Sequence, residues 1–281
     1  MLSDIFEYAF INHAIITVIL TAITTGIIGS YIVAKRIVFI SGGITHASFG
    51  GIGIAYYLGL NPILGASVFS ILSAMGIEFF SDNKKLREDS VIGILWSLGM
   101  AVGIIFMALT PGYTPNLMSF LFGNILTVSE NDIYISLALT LVVVIFFTLF
   151  YRTVQFVAFD KEYALTHSLP VKAFNYLLLC LVALTIVLNI KVAGIILIIS
   201  LLTLPPTTAN LFFNKFSSII IASILIGLIG GFGGLIGAYF FDLPSGASII
   251  IVLVIIFAIC KAICHTNQIL KKRNHIKKIN K

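Results

Sequence analysis

Nine stretches of about twenty residues, almost free of charge, follow one another along this chain, and that succession decides what it can fold into. They cover roughly 10–34, 39–59, 62–80, 91–110, 131–151, 174–190, 193–213, 218–241 and 246–264. A helix needs about 20 apolar residues to cross the hydrocarbon of a bilayer. Within that hydrocarbon every backbone amide must find its partner inside the segment, which leaves α-helices for runs of this kind. The expectation is an all-α integral membrane protein with about nine transmembrane helices, built as a single transmembrane domain over 1–281. Charged residues make up only 10% of the chain, whereas soluble domains carry about 25%, so little soluble mass remains outside the spans. The first run follows Asp4 and Glu7 and lacks a basic segment and a small-residue cleavage site. It is therefore kept as a span and not set aside as a signal peptide.

The basic residues orient these spans. Lys35-Arg36, Lys84-Lys85 with Arg87, Arg152 with Lys161 and Lys172, Lys215, and the tail from Lys261 to Lys281 all fall on one side of a nine-span chain. Of 17 basic residues only Lys191 falls on the other. Positive charge stays on the cytoplasmic side, so the N-terminus is expected outside, and the basic tail, about 265–281, inside. The net charge of +6 sits in short clusters between spans and is no nucleic-acid footprint. The piece Leu117–Val128 is apolar but too short to span, and counting it would put Lys84–Arg87 or Arg152 on the wrong face. It is expected outside as a short helix on the outer surface, either a gate or an ordinary interfacial loop helix.

Few residues can carry chemistry. The most polar internal stretch, FDKEYALTHSLPVKA over 159–173, places Asp160, Lys161, Glu162, His167 and Lys172 between two spans. It reads as a short amphipathic helix with Ala164 and Leu165 between charged turns, ended by Ser168-Leu169-Pro170, since proline disfavours helix in the residue before it. A structured loop where a few residues would suffice points to the docking of a soluble partner. In ISGGITHASFGGIGIAYYLG, His46 is the only histidine well inside a span. An ionisable residue at that depth is a candidate for function, and neutral imidazole suits zinc, manganese or iron. A histidine hydrogen-bonded to a neighbouring carbonyl is the plainer account, and the residues leave both open. In LIISLLTLPPTTANLF, Pro205 and Pro206 followed by Thr207 remove two amide donors. A helix break there would have to line a cavity or be buried in protein, and such breaks mark transport pathways.

Other features have bland readings beside any functional one. Arg87, Glu88 and Asp89 open a span where acids suit the helix dipole; Glu78 and Asp82 read as interfacial acids, and Asp242 as a turn former. Three overlapping G-x-x-x-G pairs over Gly227–Gly237 imply close helix packing, within the chain or between two copies. Cys180, Cys260 and Cys264 form no C-x-x-C and imply no disulfide framework. Cys260 and Cys264, one turn apart beside His265, suit helix packing better than a soft metal. No G-x-x-x-x-G-K-[ST] occurs, so the chain holds no nucleotide in a P-loop; G-x-S-x-G and H-E-x-x-H are missing too, which leaves a membrane enzyme without its machinery.

From about Gly29 to Ile263 the order and spacing of SGGITHASFGGIGIAYYLG, REDSVIGILWSLGMAVGI, SFLFGNILTVSENDIY, NIKVAGIILIISLLTLPPTTANLF and FDLPSGASIII resemble the membrane permease subunits of the zinc/manganese/iron ABC importers. The resemblance implies a non-catalytic subunit of a bacterial cytoplasmic membrane that pairs with a second permease copy. It implies docking of two cytoplasmic P-loop ATPases through the loop matching Asp160–Ala173, with Asp160, Lys161, Glu162, Ala164, Leu165 and Ser168 as contacts. An extracytoplasmic metal-binding protein would deliver the ion beside a gate helix carrying Phe120, Phe122 and Asn124. No cofactor is held permanently; a divalent metal ion is the cargo, with His46 and Thr45 as pathway ligands. One departure stands out. Such permeases commonly carry an aspartate four residues before the histidine, and here that position is Gly42, which leaves neutral His46 with Thr45 or Ser41. The alternative is a secondary metal transporter or channel working without an ATPase; it calls for acids buried mid-span, and His46 is the only deep ionisable candidate.

Overall fold

Each long apolar run folds as a helix, because lipid offers no partner for an amide outside one. The computed structural model describes residues 9–82, 87–111, 123 and 125–279, and none of these forms a strand. The helices are α1 (Ala9–Ala34), α2 (Val38–Tyr57), α3 (Pro62–Asp82), α4 (Glu88–Leu109), α5 (Glu130–Leu149), α6 (Tyr151–Phe159), α7 (Lys161–Thr166), α8 (Val171–Ala193), α9 (Ile195–Ala209), α10 (Phe216–Phe241) and α11 (Ser245–Ile279), with a 3₁₀ turn at Ile125–Thr127. Eight of them, α1 to α5, α8, α10 and α11, are long and apolar enough to cross a membrane. α9 is apolar but has only 15 residues, a rise of about 22 Å against about 30 Å of hydrocarbon. Counted with it, the crossings number nine. The chain is an all-α membrane protein.

The crossings alternate in direction, so Lys35, Arg36, Arg87, Arg152, Lys172, Lys215 and Lys261 gather at one end of the bundle, called here the basic end. Lys191, at the opposite end, has its own counter-charge: its Nζ lies 2.7 and 2.8 Å from the two carboxylate oxygens of Asp132. That carboxylate also closes the start of α5. It accepts from the Ser129 hydroxyl at 2.6 Å and from the Ser129 backbone N–H at 3.1 Å, a reciprocal cap. Sequence alone supplied the charge count but not the partner.

α1, α2 and α8 are mostly buried, while α3, α4, α5, α10 and α11 form the rim. Ile28, Tyr31 and Ile32 of α1 meet Leu178 and Ile186 of α8 and Ile195 and Ile198 of α9 in the main core. On the rim, Ile251, Ile255 and Ile259 of α11 stand four residues apart and are each more than half exposed. Such a stripe would be a liability in water and is ordinary in lipid.

One expectation is corrected, one open reading is decided and one element is new. Pro205 and Pro206 do not break their helix: α9 runs through both. The carbonyls they leave unpaired are those of Leu201 and Leu202, and both residues are buried. The Leu202 carbonyl lies against Gly29 of α1, where an added Cβ would come within 2.5 Å of its oxygen. The missing amide is covered by a close backbone approach, as membrane helices with internal proline require. The real discontinuity is Gly194, whose φ of 77° ends α8 and starts α9 as the single residue between them. Second, two of the three G-x-x-x-G pairs are used inside the chain: Gly227 and Gly231 face Ala22 and Val18 of α1, while Gly230 and Gly234 face Leu253 and Ile249 of α11. Third, the polar segment after α5 opens with a helix the sequence did not announce. α6 turns off at Phe150, buries Val154 and Val157, and leaves Arg152 exposed, the pattern of a helix lying along a surface.

Candidate functional site

His46 stands near the middle of α2, on the side that meets α4. The two helices pack backbone to backbone: a Cβ on Gly53 would lie 2.4 Å from the Gly103 carbonyl oxygen, and one on Gly103 would lie 2.5 Å from that of Phe49. The crossing brings Trp96 of α4 flat against the imidazole, with ring centroids 4.2 Å apart and planes at 5°. Phe39 lies at the far edge of the indole, 6.1 Å away, and Phe49 is 6.4 Å from the imidazole. Both His46 and Trp96 are half-buried. The Nδ1 atom of His46 is buried and has no hydrogen-bond partner, so the carbonyl-bonded histidine of the plainer account is not what the fold builds. A stacked ring with no hydrogen bond at Nδ1 is held in place by its face.

The other proposed ligand is elsewhere. Thr45 is fully buried, and its hydroxyl donates to the Ser41 carbonyl one turn back at 2.5 Å. Adjacent helix positions differ by about 100° in direction, which turns Thr45 into the bundle while His46 faces its edge. Gly42 does share the His46 face, one turn away, and a Cβ there would meet only Trp96, at 3.7 Å. Space for a side chain therefore exists beside the imidazole, and the sequence leaves it empty. Among the described residues no three His, Cys, Asp or Glu side chains converge as a metal-holding group. One imidazole can meet a passing cation; it cannot hold one tightly. Cys264, for its part, directs its sulfur to the Leu211 carbonyl at 3.7 Å.

At the basic end the polar island folds as expected, and its residues divide by face. Asp160 caps α7, its Oδ1 accepting from the Tyr163 N–H at 2.9 Å. Lys161 begins the helix. Glu162 and Leu165 point outward, Leu165 being 56% exposed, whereas Ala164 is completely buried and seats the helix on the bundle. Ala164 is thus a packing residue and not a contact surface. Ser168, with φ 54°, turns the chain toward α8. The sequence reading missed Tyr163 and Phe159. Tyr163 sits between Phe156 at 4.8 Å and His167 at 4.1 Å, and Phe159, 56% exposed, leans on Phe216 at 5.6 Å. Aromatic spacing at i, i+4 was the signal that could have found them.

At the other end, the turn Ile125–Thr127 is pinned to the bundle. Ile125 and Val128 are buried among Ala14, Val18, Val192, Ala193 and Leu197, and His13 Nδ1 lies 3.1 Å from the Val128 carbonyl oxygen. The proposed gate residues Phe120, Phe122 and Asn124 lie outside the described residues. Pro205 and Pro206 are buried and Thr207 half-buried in α9.

The comparisons with known proteins cover the same ground. The family model "ABC 3 transport family" matches residues 7–264. The membrane protein slr2045 of Synechocystis sp. is 38% identical over 256 residues, 91% of each chain. The manganese transport system membrane protein MntC of Listeria monocytogenes is 34% identical over 258 residues, 92% of each. Among solved structures, PsaBC from Streptococcus pneumoniae in complex with Fab superposes with a TM-score of 0.81 at 30% identity, covering 92% of this chain and 95% of that one. With a half-exposed histidine on a glycine-packed helix pair, a structured polar segment at the basic end and a family match along nearly its whole length, the chain belongs to the ABC 3 transport family.

Proposed function

We propose that this chain is the membrane-spanning permease subunit of an ATP-driven importer that carries a divalent transition metal ion across a bacterial cytoplasmic membrane. Manganese is the first candidate, from the Listeria relative; zinc and iron are the others. The observation that carries the reading is His46. Among the described residues it is the one Asp, Glu, His, Lys or Arg in the middle of a crossing, and it lies on a bundle edge with an unpartnered nitrogen. A residue so placed has a cost in lipid that function must offset.

In this scheme the permease catalyses nothing. It offers the ion a path along the α2–α4 edge, where a second permease copy covers His46 and completes the passage. An extracytoplasmic metal-binding protein delivers the ion at the end holding Ile125–Thr127. A P-loop ATPase grips the Tyr151–Thr166 segment, with Leu165, Tyr163 and Phe159 as apolar contacts and Asp160, Glu162 and Ser168 around them. The basic end, including the C-terminus, is then cytoplasmic. A single imidazole lacking a carboxylate neighbour at Gly42 makes a transit point and not a resting site.

The test is uptake of radiolabelled manganese, zinc and iron by cells lacking or carrying the gene, with the tagged permease recovered from the same membranes. The expected result is ATP-dependent uptake of one metal, co-recovery of a P-loop ATPase, and uptake reduced at least tenfold by His46→Ala with the complex intact. Uptake that persists after ATP depletion, with the permease recovered alone, would establish a secondary carrier in its place.

A further inference from the structure

Behind the ATPase-facing segment, at the basic end, lies a cavity of about 330 Å³ whose walls come from five parts of the chain. Val157, Ala158 and Phe159 of α6 close one side; Lys35 in the turn after α1, Glu78 and Ser81 of α3, Glu88 of α4 and Asn175 of α8 line the others. Asn175 is 4% exposed, and both ends of its amide are used across helices. Its Oδ1 accepts from Lys35 Nζ at 2.9 Å, and its Nδ2 donates to Glu78 Oε1 at 2.9 Å. Lys35 also donates to the hydroxyl of Tyr31, a residue with no exposure, at 3.2 Å. One amide therefore ties α1, α3 and α8 together. An ammonium needs an acceptor and a carboxylate needs a donor, and an amide side chain can be both at once.

We propose that Asn175 is the positioning residue through which movement of the ATPase-docking segment reaches the transport helices. The inference rests on the permease reading above. Three features support it. Asn175 lies in the first turns of α8, which follows α7 after only His167–Pro170, so a push on α7 arrives there first. The cavity leaves α6 room to move toward the amide without first unpacking the hydrophobic core. The same cavity is lined by Glu88, the first residue of α4, the helix that presents Trp96 to His46. A buried polar network is either satisfied or costly, and so switches between discrete arrangements where an apolar contact would slide.

The experiment uses the complete importer in proteoliposomes, with its ATPase and metal-binding protein, and reads ATP hydrolysed per manganese ion carried. A purely structural role would lower transport and hydrolysis together and leave that ratio alone. Asn175→Leu keeps the volume and removes both hydrogen bonds; the ratio is expected to rise at least tenfold. Glu78→Gln still accepts from Asn175 and is expected to stay within about twofold of the wild type. Glu78→Leu should match Asn175→Leu, and the double leucine variant should be no worse than either. Should Asn175→Leu fail to accumulate, Glu78→Leu, at a half-exposed position, decides by the same ratio. ATP-driven uptake in the wild type with an unchanged ratio in the leucine variants overturns the proposal alone. Wild-type uptake without ATP hydrolysis overturns the permease reading itself.

Discussion

The close crossing of α2 and α4 makes the strictest demand on sequence, and a pair of alanine substitutions measures it. A Cβ on Gly103 would stand 2.5 Å from the Phe49 carbonyl oxygen and 2.8 Å from its carbon. Ordinary contact begins near 3.4 Å, so α2 and α4 would have to part by roughly 0.9 Å along a backbone-to-backbone seam. No flexible side chain is there to yield, and overpacking of this kind costs about 1–3 kcal/mol. Gly93 lies on the same helix and has nothing within 4 Å of its would-be Cβ. There alanine meets no neighbour, and the helix gains up to about 1 kcal/mol from its better propensity. That gain applies to both positions and cancels, so the two variants should differ by about 1–3 kcal/mol, which corresponds to roughly 2–12 °C in melting temperature for a chain of this size. The assay is thermal unfolding in detergent, followed by circular dichroism, beside uptake by the same variants in cells. Gly103→Ala should lose uptake as well, because the seam it opens is the one that sets Trp96 on His46. Equal melting temperatures for the two variants would refute the close crossing and with it the geometry assigned to His46.

Other outcomes follow from neighbouring contacts. Trp96→Leu removes the indole face that holds the imidazole; aromatic pairs contribute about 0.5–1.5 kcal/mol beyond burial, so KM for the ion in uptake assays should rise roughly two- to tenfold. Lys191→Met strands the Asp132 carboxylate, whose side chain is 8% exposed, at a cost of about 1–3 kcal/mol. Adding Asp132→Asn should restore most of that stability in urea titrations, whereas a further loss would show that the pair is incidental. Leu165→Asp, at an outward position, should abolish co-recovery of the ATPase while the permease still accumulates. Ala164→Leu, one residue earlier but fully buried, should instead lower permease accumulation, and the reverse pattern would mean that the faces of α7 are misassigned.

The crossings were legible in the sequence because lipid imposes one rule on every residue of a span, and a run of apolar residues either obeys it or does not. The gathering of the described basic residues at one end, with Lys191 at the other, was legible as well, because charge stays out of the hydrocarbon. What lay beyond reach depends on pairing between helices far apart in the chain. Nothing near Pro205 and Pro206 says that Gly29 will press against the Leu202 carbonyl, so the prolines looked like a break. His46 was visible as an ionisable residue at depth, but Trp96, which gives it an orientation, belongs to α4. Thr45 looked like a ligand because it is adjacent in sequence, and adjacency on a helix means a different face. α6 stayed hidden because neither glycine nor proline marks Phe150, where the chain turns out of the apolar run.

Gly194 has a consequence for how this bundle can move. α8 spans 23 residues, a rod about 34 Å long at 1.5 Å per residue, with Asn175 near one tip and Lys191 near the other. Most crossings are joined by several residues of loop, which act as springs and let one helix shift without its neighbour. Between α8 and α9 there is a single residue and so no spring. The two helices are a hinged pair of rigid arms, and whatever displaces α8 along its axis is delivered at the far side of the membrane to α9, the shortest and among the most enclosed of the crossings.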